Sequence, residues 1–532
     1  MLGHLTETDW DVVVIGSGMG GGMAGRRLAE RGLSVLFLER GPTGRRAEEP
    51  NLFSGHTDST AREIRGFWPE PVRAVVDGTV QDLWSTFGAC VGGTSAFYAA
   101  TLERPERHDV EAREGRPHPT GGWPVPWDGL RTYYAEAERL LEVRGAADPL
   151  TEDEAVLLPA PELSAGDLAL QRSLAARGLN PYRMHVGIRY VPGCRECAGH
   201  KCPRACKMDG RSAGVEPALA TGRAALLDRC HVERLDMSHG GVAAVVATRG
   251  GMPLRFRAKR YVLAAGGLGS PRLLLASRQE GWSDGVANRS GLVGRNLMFH
   301  LNEMLALWSS SAPRSGEPQR TLALRDFYFR DGARYGIVQS MGLAADYGNI
   351  LMALGERFDR SPLRSMRFAR EFLRLPALAA ARVLGSARVL VGILEDLPLP
   401  DNRVTLNADP AGTMVVTYAI SDELEARRRA FRRLMARTLR GWPMLFLNAG
   451  PQLNYGHPCG TLRFGHDPVT SVLDPDCRAH GISNLFVADS SFMPTSTGVN
   501  PSLTIAANAL RVADAVVADL TRGAVAQIGV AP

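Results

Sequence analysis

The sequence predicts an α/β protein in which a parallel β-sheet is interleaved with a second domain that contains a large antiparallel sheet. Residues 12–15 (VVVI) are consecutive β-branched residues. A glycine-rich turn, a helical stretch that ends at Gly32 and a second apolar stretch, residues 33–38, follow in order. This order is typical of a Rossmann-like unit on a parallel sheet. Between about residues 300 and 450, alternating runs such as residues 414–420 (MVVTYAI) indicate the antiparallel sheet.

The glycine-rich turn has the spacing of a dinucleotide-binding turn. Gly16 allows a tight turn, Gly18 lets the backbone approach a pyrophosphate, and Gly21 lets the helix pack closely on the strand. The helix N-terminus then presents free N–H groups and the positive end of its dipole to the phosphates. Glu39, after the second strand, stands where a carboxylate accepts hydrogen bonds from a ribose 2′-hydroxyl. We therefore predict that a dinucleotide binds here.

The composition is that of a globular protein too long for one simple core. The chain has 532 residues and a formal net charge of +6, and it has no block of like charge that would indicate a nucleic-acid partner. The first residues lack the pattern of a secretory signal, and no apolar run is long enough to span a bilayer. We therefore expect a cytoplasmic location and reduced cysteines.

One basic stretch, residues 363–375, has the composition of a helix that can lie on an anionic membrane. Arg364, Arg367 and Arg374 share one face of such a helix. We favour instead the solvated outer face of a lid helix, which ends or kinks at Pro376, and we do not expect a membrane surface as a partner.

Two further turns of small residues follow along the chain. Residues 88–95 (GACVGGTS) predict backbone held close to a flat cofactor or its phosphates. Residues 260–277 repeat the order of strand, turn and helix, with Pro271 in the first helical turn. Between these segments we predict a helix over residues 219–227 and a strand that starts at His231.

Polar residues near the end of the sequence follow predicted strands or precede a helix. His457 lies in residues 454–465 (NYGHPCGTLRFG), and Asp489 ends an apolar strand. Asn500 precedes Pro501, and a proline in this position predicts that a helix starts there with its N-terminus aimed inward.

Together these segments resemble the glucose–methanol–choline (GMC) oxidoreductases, a family of FAD enzymes that oxidise alcohols. Five segments occur in family order: the first turn, residues 92–95, residues 266–271, residues 291–297, and the pair formed by residues 457–461 and 498–501. The resemblance implies an FAD-binding domain of the p-hydroxybenzoate-hydroxylase-like class, formed by residues 1–108, 190–300 and 445–532. It also implies an α+β substrate domain formed by residues 109–189 and 301–444.

The same resemblance suggests roles for residues around the cofactor. Gly92, Thr94 and Ser95 would run along the pyrophosphate and isoalloxazine, Val232 would contact the adenine, and Asp489 would lie near the ribityl chain. Members that attach FAD covalently use a histidine in the region of residues 88–100, and this sequence has none there. We therefore expect non-covalent FAD.

The chemistry of alcohol oxidation requires a base close to the hydroxyl group. Hydride leaves the carbon for flavin N5 only as the hydroxyl proton leaves, and an imidazole suits this role because its pKa is near neutral. His457 matches the family's base, and Asn500 matches the residue that binds the same oxygen. The alternative is that His457 is a structural histidine buried beside Pro458.

Four cysteines, Cys194, Cys197, Cys202 and Cys206, lie within one short segment, residues 194–206. Thiolates at such spacing can surround a metal or an iron–sulfur core. Some bacterial sugar dehydrogenases of the resembled family carry a 3Fe–4S cluster at a similar place. The extra cysteine leaves 3Fe–4S, 4Fe–4S and zinc open. Two disulfides, or reduced thiols that pack a loop, are the alternatives.

The sequence leaves several classes of substrate open. Glu395 and Asp396 would bind a cationic or polyhydroxylated alcohol, such as a sugar or amino sugar, unless they are a solvated pair at a strand end. Residues 327–329 (FYF) would instead line an apolar pocket for a steroid or long-chain alcohol. A flavin-containing lyase, in which FAD is not reduced, is a third possibility. Oxygen or another acceptor would reoxidise the cofactor.

Overall fold

The computed structural model describes residues 2–47, 58–85, 87–308, 319–342, 347–359, 366–385, 387–407 and 412–528. The α-helices in these residues are α1 (Leu2–Glu7), α2 (Met19–Glu30), α3 (Ser59–Arg65), α4 (Trp127–Leu140), α5 (Ala165–Ala175), α6 (Glu216–Ala220), α7 (Gly266–Ala276), α8 (Tyr347–Asp359), α9 (Arg367–Glu371), α10 (Arg374–Leu384), α11 (Asp422–Thr438) and α12 (Ser502–Ile528).

The strands in the first half of the chain are β1 (Asp9–Ile15), β2 (Val35–Leu38), β3 (Val72–Val76), β4 (Thr79–Leu83), β5 (Arg144–Gly145), β6 (Leu158–Pro159), β7 (Pro181–Arg183), β8 (Ala224–Leu227), β9 (His231–Ser238), β10 (Gly241–Arg249) and β11 (Met252–Leu263). Those that follow are β12 (Met298–Leu307), β13 (Leu322–Leu324), β14 (Phe329–Arg330), β15 (Ala333–Arg334), β16 (Val338–Ser340), β17 (Arg388–Leu394), β18 (Arg403–Leu406), β19 (Met414–Tyr418), β20 (Met444–Phe446), β21 (Leu453–Cys459) and β22 (Leu485–Val487).

The first sheet has a parallel core in the order β8, β2, β1, β11 and β22. Helix α2 connects β1 to β2, which confirms the Rossmann-like unit predicted from the glycine-rich turn. The first half of β11 extends beyond this core and pairs antiparallel with β10, which pairs with β9. Strands β2 and β22 and residues 12–15 of β1 are buried on both faces, as their β-branched and apolar residues predict, whereas the edge strand β8 is only partly buried.

Two expectations for this sheet were wrong. Residues 224–227 form the edge strand β8, parallel to β2, whereas a helix was expected through residue 227. Pro271 lies inside α7, beyond its first turn, so the Gly267 carbonyl lacks the usual helical N–H donor. The Thr461 hydroxyl donates to that carbonyl at 2.7 Å, and the proline is therefore tolerated.

The second sheet is antiparallel, as predicted, with the order β20, β12, β17, β16, β13 and β7. Strand β21 pairs with the start of β12 and brings the His457 segment onto this sheet. Helix α11 covers the sheet through Phe431 and Met435, which are fully buried. The division of the chain into cofactor and substrate domains stays a prediction.

A smaller sheet, in the order β18, β19, β3 and β4, joins two distant parts of the chain. On the first sheet, α12 packs against α2 and α4. Gly20 of α2 lies directly on the turn after β22, because a Cβ atom on Gly20 would stand 1.6 Å from the Ala488 carbonyl oxygen. The start of the chain and its distal part therefore form one unit.

The basic stretch is helical, although Arg364 lies outside the described residues. Helix α9 ends at Glu371, and α10 begins at Arg374 and continues through Pro376. The break therefore precedes the proline, which sits in the first turn of α10, where its missing N–H costs nothing. Within the described residues, none of the helices combines the length and the apolar character that a bilayer crossing needs.

Candidate active site

A cavity of ≈ 440 Å³ extends from the carboxyl ends of the parallel strands to the antiparallel sheet. Gly16, Glu39 and Val232 line one end, and His457 and Asn500 line the other. Ligand sites of open parallel sheets lie beyond the carboxyl ends of their strands, so the position of this cavity is the expected one. It brings residues from widely separated parts of the chain to one site.

The glycine turn forms the wall at the first end. Gly16 has φ +99°, and a Cβ atom there would stand 2.4 Å from the Ala264 carbonyl oxygen, so this position requires glycine. Gly18 is the N-cap of α2 and lines the cavity together with the first residues of the helix. Gly21 packs on the turn itself, since its Cβ would lie 2.0 Å from the Gly16 carbonyl oxygen. The N-terminus of α2 therefore faces the cavity, which suits a phosphate.

Glu39 is buried and held by donors from two turns. Its Oε2 accepts hydrogen bonds from the Ser17 amide at 3.1 Å and the Ser17 hydroxyl at 2.5 Å, and its Oε1 accepts one from the Gly41 amide at 2.9 Å. Burial raises the pKa of this carboxyl group, and the hydrogen bonds oppose the rise. The carboxylate is thus fixed at the cavity wall.

Residues 92–95 lie directly on the first turn. The Gly92 amide donates to the Ser17 carbonyl at 3.2 Å, whereas Gly93, Thr94 and Ser95 line the cavity. The Ser95 hydroxyl donates to the Gly92 carbonyl at 2.6 Å and accepts from the Gly210 amide at 2.9 Å. Its polar group therefore also holds the segment in shape.

Asp489 lies just beyond β22 and lines the cavity. Its Oδ2 accepts a hydrogen bond from the Gly266 amide at 2.9 Å and another from the Ser270 hydroxyl, and its Oδ1 accepts from the Ser491 amide at 2.9 Å. Burial raises the pKa of this carboxyl group. Asp489 therefore ties the turn before α7 to the segment after β22.

At the other end, His457 contacts a second histidine that the sequence analysis did not select. His457 Nδ1 lies 3.1 Å from Nδ1 of His300, which is fully buried on β12. The other nitrogen of His300, Nε2, lies 3.0 Å from the Thr497 carbonyl oxygen. Burial lowers the pKa of His300 to about 4, so this ring is neutral at physiological pH.

These contacts assign the protons of both rings. A carbonyl oxygen only accepts, so His300 carries its single proton on Nε2, and its Nδ1 is an acceptor. His457 must then donate from Nδ1, which leaves Nε2 unprotonated. Burial lowers the pKa of His457 well below its ordinary value, which keeps this ring neutral as well. In the described part of the chain, His457 Nε2 has no hydrogen-bond partner, and the residue lines the cavity.

Comparisons with known proteins fit this arrangement. Two sequence profiles, both described as GMC oxidoreductase, match residues 20–302 and 398–509. Paromamine 6'-oxidase from Streptomyces fradiae is 30% identical, over 96% of this chain and 92% of that protein. The 6'''-hydroxyparomomycin C oxidase from Streptomyces lividus is 29% identical, over 98% and 93%. The chain belongs to the GMC oxidoreductase family.

Among solved structures, pyridoxine 4-oxidase from Mesorbium loti has a TM-score of 0.64 at 20% identity, and the match covers 95% of this chain and 99% of that chain. This likeness confirms the fold. As a GMC oxidoreductase, the protein is an FAD-dependent enzyme that oxidises an alcohol, as predicted.

Amide side chains surround His457 in this GMC enzyme, and sequence reasoning missed two of them. The Asn500 Oδ1 atom accepts a hydrogen bond from Gln339 Nε2 at 3.0 Å. Gln339 and Asn302 also line the cavity, and the oxygen of each amide is buried without a hydrogen-bond partner in the described residues. Buried oxygens without donors are costly unless a ligand supplies them. No motif marks these residues, because only the antiparallel pairing brings β12 and β16 to the site.

The four clustered cysteines form a chain of side-chain contacts, in which Cys202 contacts Cys197 and Cys206, and Cys206 contacts Cys194. The Sγ atoms of Cys202 and Cys206 are 3.3 Å apart, and those of Cys194 and Cys206 are 3.9 Å apart. All eight cysteines are free, so the disulfide alternative is not formed. In the parts of the chain that the structure describes, no group of three or more His, Cys, Asp or Glu side chains is arranged to hold a metal.

The two substrate-binding segments expected from sequence lie elsewhere. Glu395 forms a buried ion pair with Arg334 at 2.7 Å, and Asp396 accepts hydrogen bonds from the Phe299 amide at 2.9 Å and the Tyr418 hydroxyl at 2.7 Å. Neither acid is solvated, and neither is among the described residues that line the cavity.

The aromatic segment is equally removed from the site. Phe327 packs in the core of the second sheet, and the Tyr328 hydroxyl donates to Asp109 at 2.5 Å. Residues 327–329 are absent from the described cavity wall, so the reason for expecting an apolar steroid pocket does not hold.

Proposed function

We propose that the enzyme oxidises a hydroxyl group of a sugar-type or amino-sugar-type alcohol, with His457 as the base and Asn500 as the residue that orients the alcohol oxygen. The observation that carries this proposal is that His457 and Asn500 line the same cavity, while His457 Nδ1 lies 3.1 Å from Nδ1 of His300, a contact that assigns the proton to Nδ1 and leaves Nε2 free to accept one. A base must be neutral and within reach of the hydroxyl proton, and this arrangement supplies both conditions.

When bound, FAD supplies the acceptor for the hydride that leaves the alcohol carbon. His457 Nε2 takes the hydroxyl proton, so the substrate loses one hydride and one proton and becomes an aldehyde or a ketone. The Asn500 Oδ1 is engaged by Gln339, which leaves its Nδ2 to donate to the alcohol oxygen. This fixes the direction of the C–H bond.

We assign the cofactor to the other end of the cavity. The N-terminus of α2 after Gly16 and Gly18 suits the pyrophosphate, and Glu39 suits the ribose. Residues 92–95, Val232 and Asp489 complete this part of the proposal. Segments 1–108, 190–300 and 445–532 would form the cofactor domain, and segments 109–189 and 301–444 would form the substrate domain.

The polar character of the cavity supports the substrate class. Asn302 and Gln339 offer amide oxygens that hydroxyl or ammonium groups of a substrate would satisfy. Two relatives that align over nearly the whole chain have names that refer to aminoglycoside alcohols. A steroid would leave these buried oxygens without donors.

Anaerobic stopped-flow reduction of the bound flavin by paromamine tests the proposal. We expect His457→Ala to keep FAD and to slow flavin reduction by about a hundredfold or more, the usual size of general-base catalysis. Asn500→Ala should slow it less, through lost orientation. His239→Ala, in an exposed hairpin turn, is the matched control and should be unchanged.

Three outcomes would contradict the proposal. Reduction that proceeds in His457→Ala at nearly the wild-type rate would exclude this base. A flavin that bleaches with cholesterol and not with paromamine would exclude the substrate class. Turnover without any flavin reduction would indicate the lyase alternative.

An iron–sulfur or zinc centre at Cys194, Cys197, Cys202 and Cys206 stays a proposal of its own. Thiolates are suitable ligands, and a buried cation lies beside them. Lys207 is 1% exposed, and its Nζ donates to the carbonyl of Cys197 at 2.9 Å. The sulfur atoms lie in contact with one another. The proposed oxidation of the alcohol is complete with FAD and His457 and does not require a metal.

A further inference from the structure

Large apolar side chains are exposed together on α9 and α10. Phe368 and Phe372 are each 65% exposed, Leu375 is 69% exposed, Leu378 is 61% exposed and Val383 is 62% exposed. In a monomeric protein, isolated apolar residues on the surface are normal, but a contiguous group of this size marks an interaction site.

These residues lie on both helices and in the break between them. Phe368 is on α9, Phe372 is in the two-residue break, and Leu375 and Leu378 are three residues apart on α10. Residues at such intervals share a helix face. On the opposite side, Ala377 is buried, and α10 packs against α8. The two helices therefore have an inner face that belongs to the fold and an outer apolar face, which we call the outer stripe.

Arginines lie on and beside the outer stripe, because Arg382 is four residues after Leu378 on the same face of α10 and Arg374 precedes Leu375. Residues 366–385 contain four arginines and one acid, Glu371. Arg374 is 65% exposed and pairs with Glu371 at 2.7 Å, and Arg382 is exposed on the same helix. A helix with an apolar face and basic residues on and beside it has the character of a segment that lies in the plane of a lipid surface.

The position of helices α8–α10 in the sequence relates the outer stripe to the cavity. Helices α8–α10 lie in sequence between β16 and β17, and Gln339 of β16 and Val391 of β17 both line the cavity. Since none of the described helices can cross a bilayer, attachment here would be peripheral. We propose that the outer stripe of α9 and α10 binds the enzyme to a membrane surface that contains anionic lipids.

Vesicle sedimentation of the FAD-loaded enzyme tests this proposal. We expect the wild type to sediment with vesicles of phosphatidylglycerol and phosphatidylcholine, less with phosphatidylcholine alone, and less in high salt. The variant F368S/F372S/L375S should bind at least about tenfold more weakly, because each buried apolar side chain adds to membrane affinity. The matched control, V80S/M252S/V469S, removes three exposed apolar side chains elsewhere and should bind like the wild type.

A second pair of variants separates charge from apolar insertion. R374Q/R382Q should reduce binding to the anionic vesicles by about 25-fold, at about fivefold per arginine, and leave binding to phosphatidylcholine unchanged. Flavin reduction by a soluble alcohol should be unchanged in every variant, so this test is independent of the catalytic proposal.

Three results would overturn the inference. One is a wild type that does not sediment with anionic vesicles. Another is a serine variant that binds as well as the control. The third is a wild-type dimer in solution that becomes monomeric in the serine variant, with no vesicle binding by either protein, since the outer stripe would then be covered by a second copy of the chain.

Discussion

His300 decides which nitrogen of His457 carries a proton. Its own Nε2 is committed to the Thr497 carbonyl, so only a proton on His457 Nδ1 satisfies the contact between the two rings. Asn454 competes for the same atom, because its Nδ2 lies 3.3 Å from His457 Nδ1. Without His300, this amide would donate to Nδ1, and Nε2 would then carry the proton. His300 is therefore a positioning residue.

We expect His300→Phe to slow flavin reduction by about tenfold to a hundredfold, because the base would be held in the wrong tautomer. His300→Gln can restore an acceptor oxygen and should recover much of the rate. If His300 had only a structural role, both variants would fold less well, and His300→Gln would not recover the rate that His300→Phe loses. Stopped-flow rates, with thermal unfolding as a check of the fold, distinguish the two roles, and equal losses in both variants would contradict the assignment.

The lowered pKa of His457 predicts how the rate of flavin reduction depends on pH. Burial lowers the pKa of this group, so the neutral base is present above the lowered value and is lost as pH falls through it. The rate of flavin reduction should therefore stay level from neutral pH to below about 6.5, the ordinary histidine pKa, and fall only in more acidic solution. A fall centred at or above the ordinary value would contradict the burial argument.

Local sequence predicted His457 and Asn500 as site residues, since each lies in a short motif beside a proline, and both line the cavity. It could not identify their partners. His300 belongs to a segment whose glycines were recognised, yet the contact between the two histidines depends on the pairing of β12 with β21. Asn302 and Gln339 reach the site through the same sheet, and no local pattern distinguishes them from ordinary strand residues.

Among the secondary-structure elements, β21 has an irregularity at His457, the proposed base. Its register against β12 shifts between the pairs Met298–Cys459 and His300–Asn454. Three more residues lie between Asn454 and Cys459 than between their partners, and Pro458 among them cannot donate to the ladder. The strand bulges there, and His457 is on the bulge.

A metal analysis of the purified protein distinguishes a zinc or iron–sulfur centre in the cysteine loop from reduced thiols. If the four thiols hold zinc or an iron–sulfur core, the protein purified without oxygen should contain at least about one metal ion per FAD, and Cys202→Ser should lose it. Cys230→Ser, at a buried cysteine outside the loop, should retain the metal. Less than about a tenth of an equivalent in the wild type would leave reduced thiols that pack a loop.

The elements also show where sequence reasoning fails. Residues 224–227 (AALL) suit a helix by propensity, but pairing with β2 places them in the sheet. Glu395 and Asp396 lie beyond the end of β17, where acids are usually solvated. Arg334 and Tyr418, from other elements, hold them in the interior instead. Such outcomes depend on long-range packing.

At the scale of the whole molecule, the cavity spans both sheets, and we have proposed that the cofactor binds at its first end. The region between Gly88 and Ala100 has no histidine that could form a covalent link. We therefore predict that acid precipitation releases the flavin into the supernatant. Yellow colour that stays with the washed protein pellet would show a covalent bond and contradict this expectation.

The close contact of Gly20 with Ala488 has a consequence for biosynthesis. Helix α2, whose N-terminus lines the cavity, emerges from the ribosome early, whereas β22, which Asp489 follows, is among the later elements to be made. Domains usually fold in the order of translation, but this sheet must wait for a strand synthesised near the end. The nascent chain therefore exposes an unfinished apolar sheet edge for most of its elongation, a state that chaperones bind, and the flavin can be loaded only after that interval.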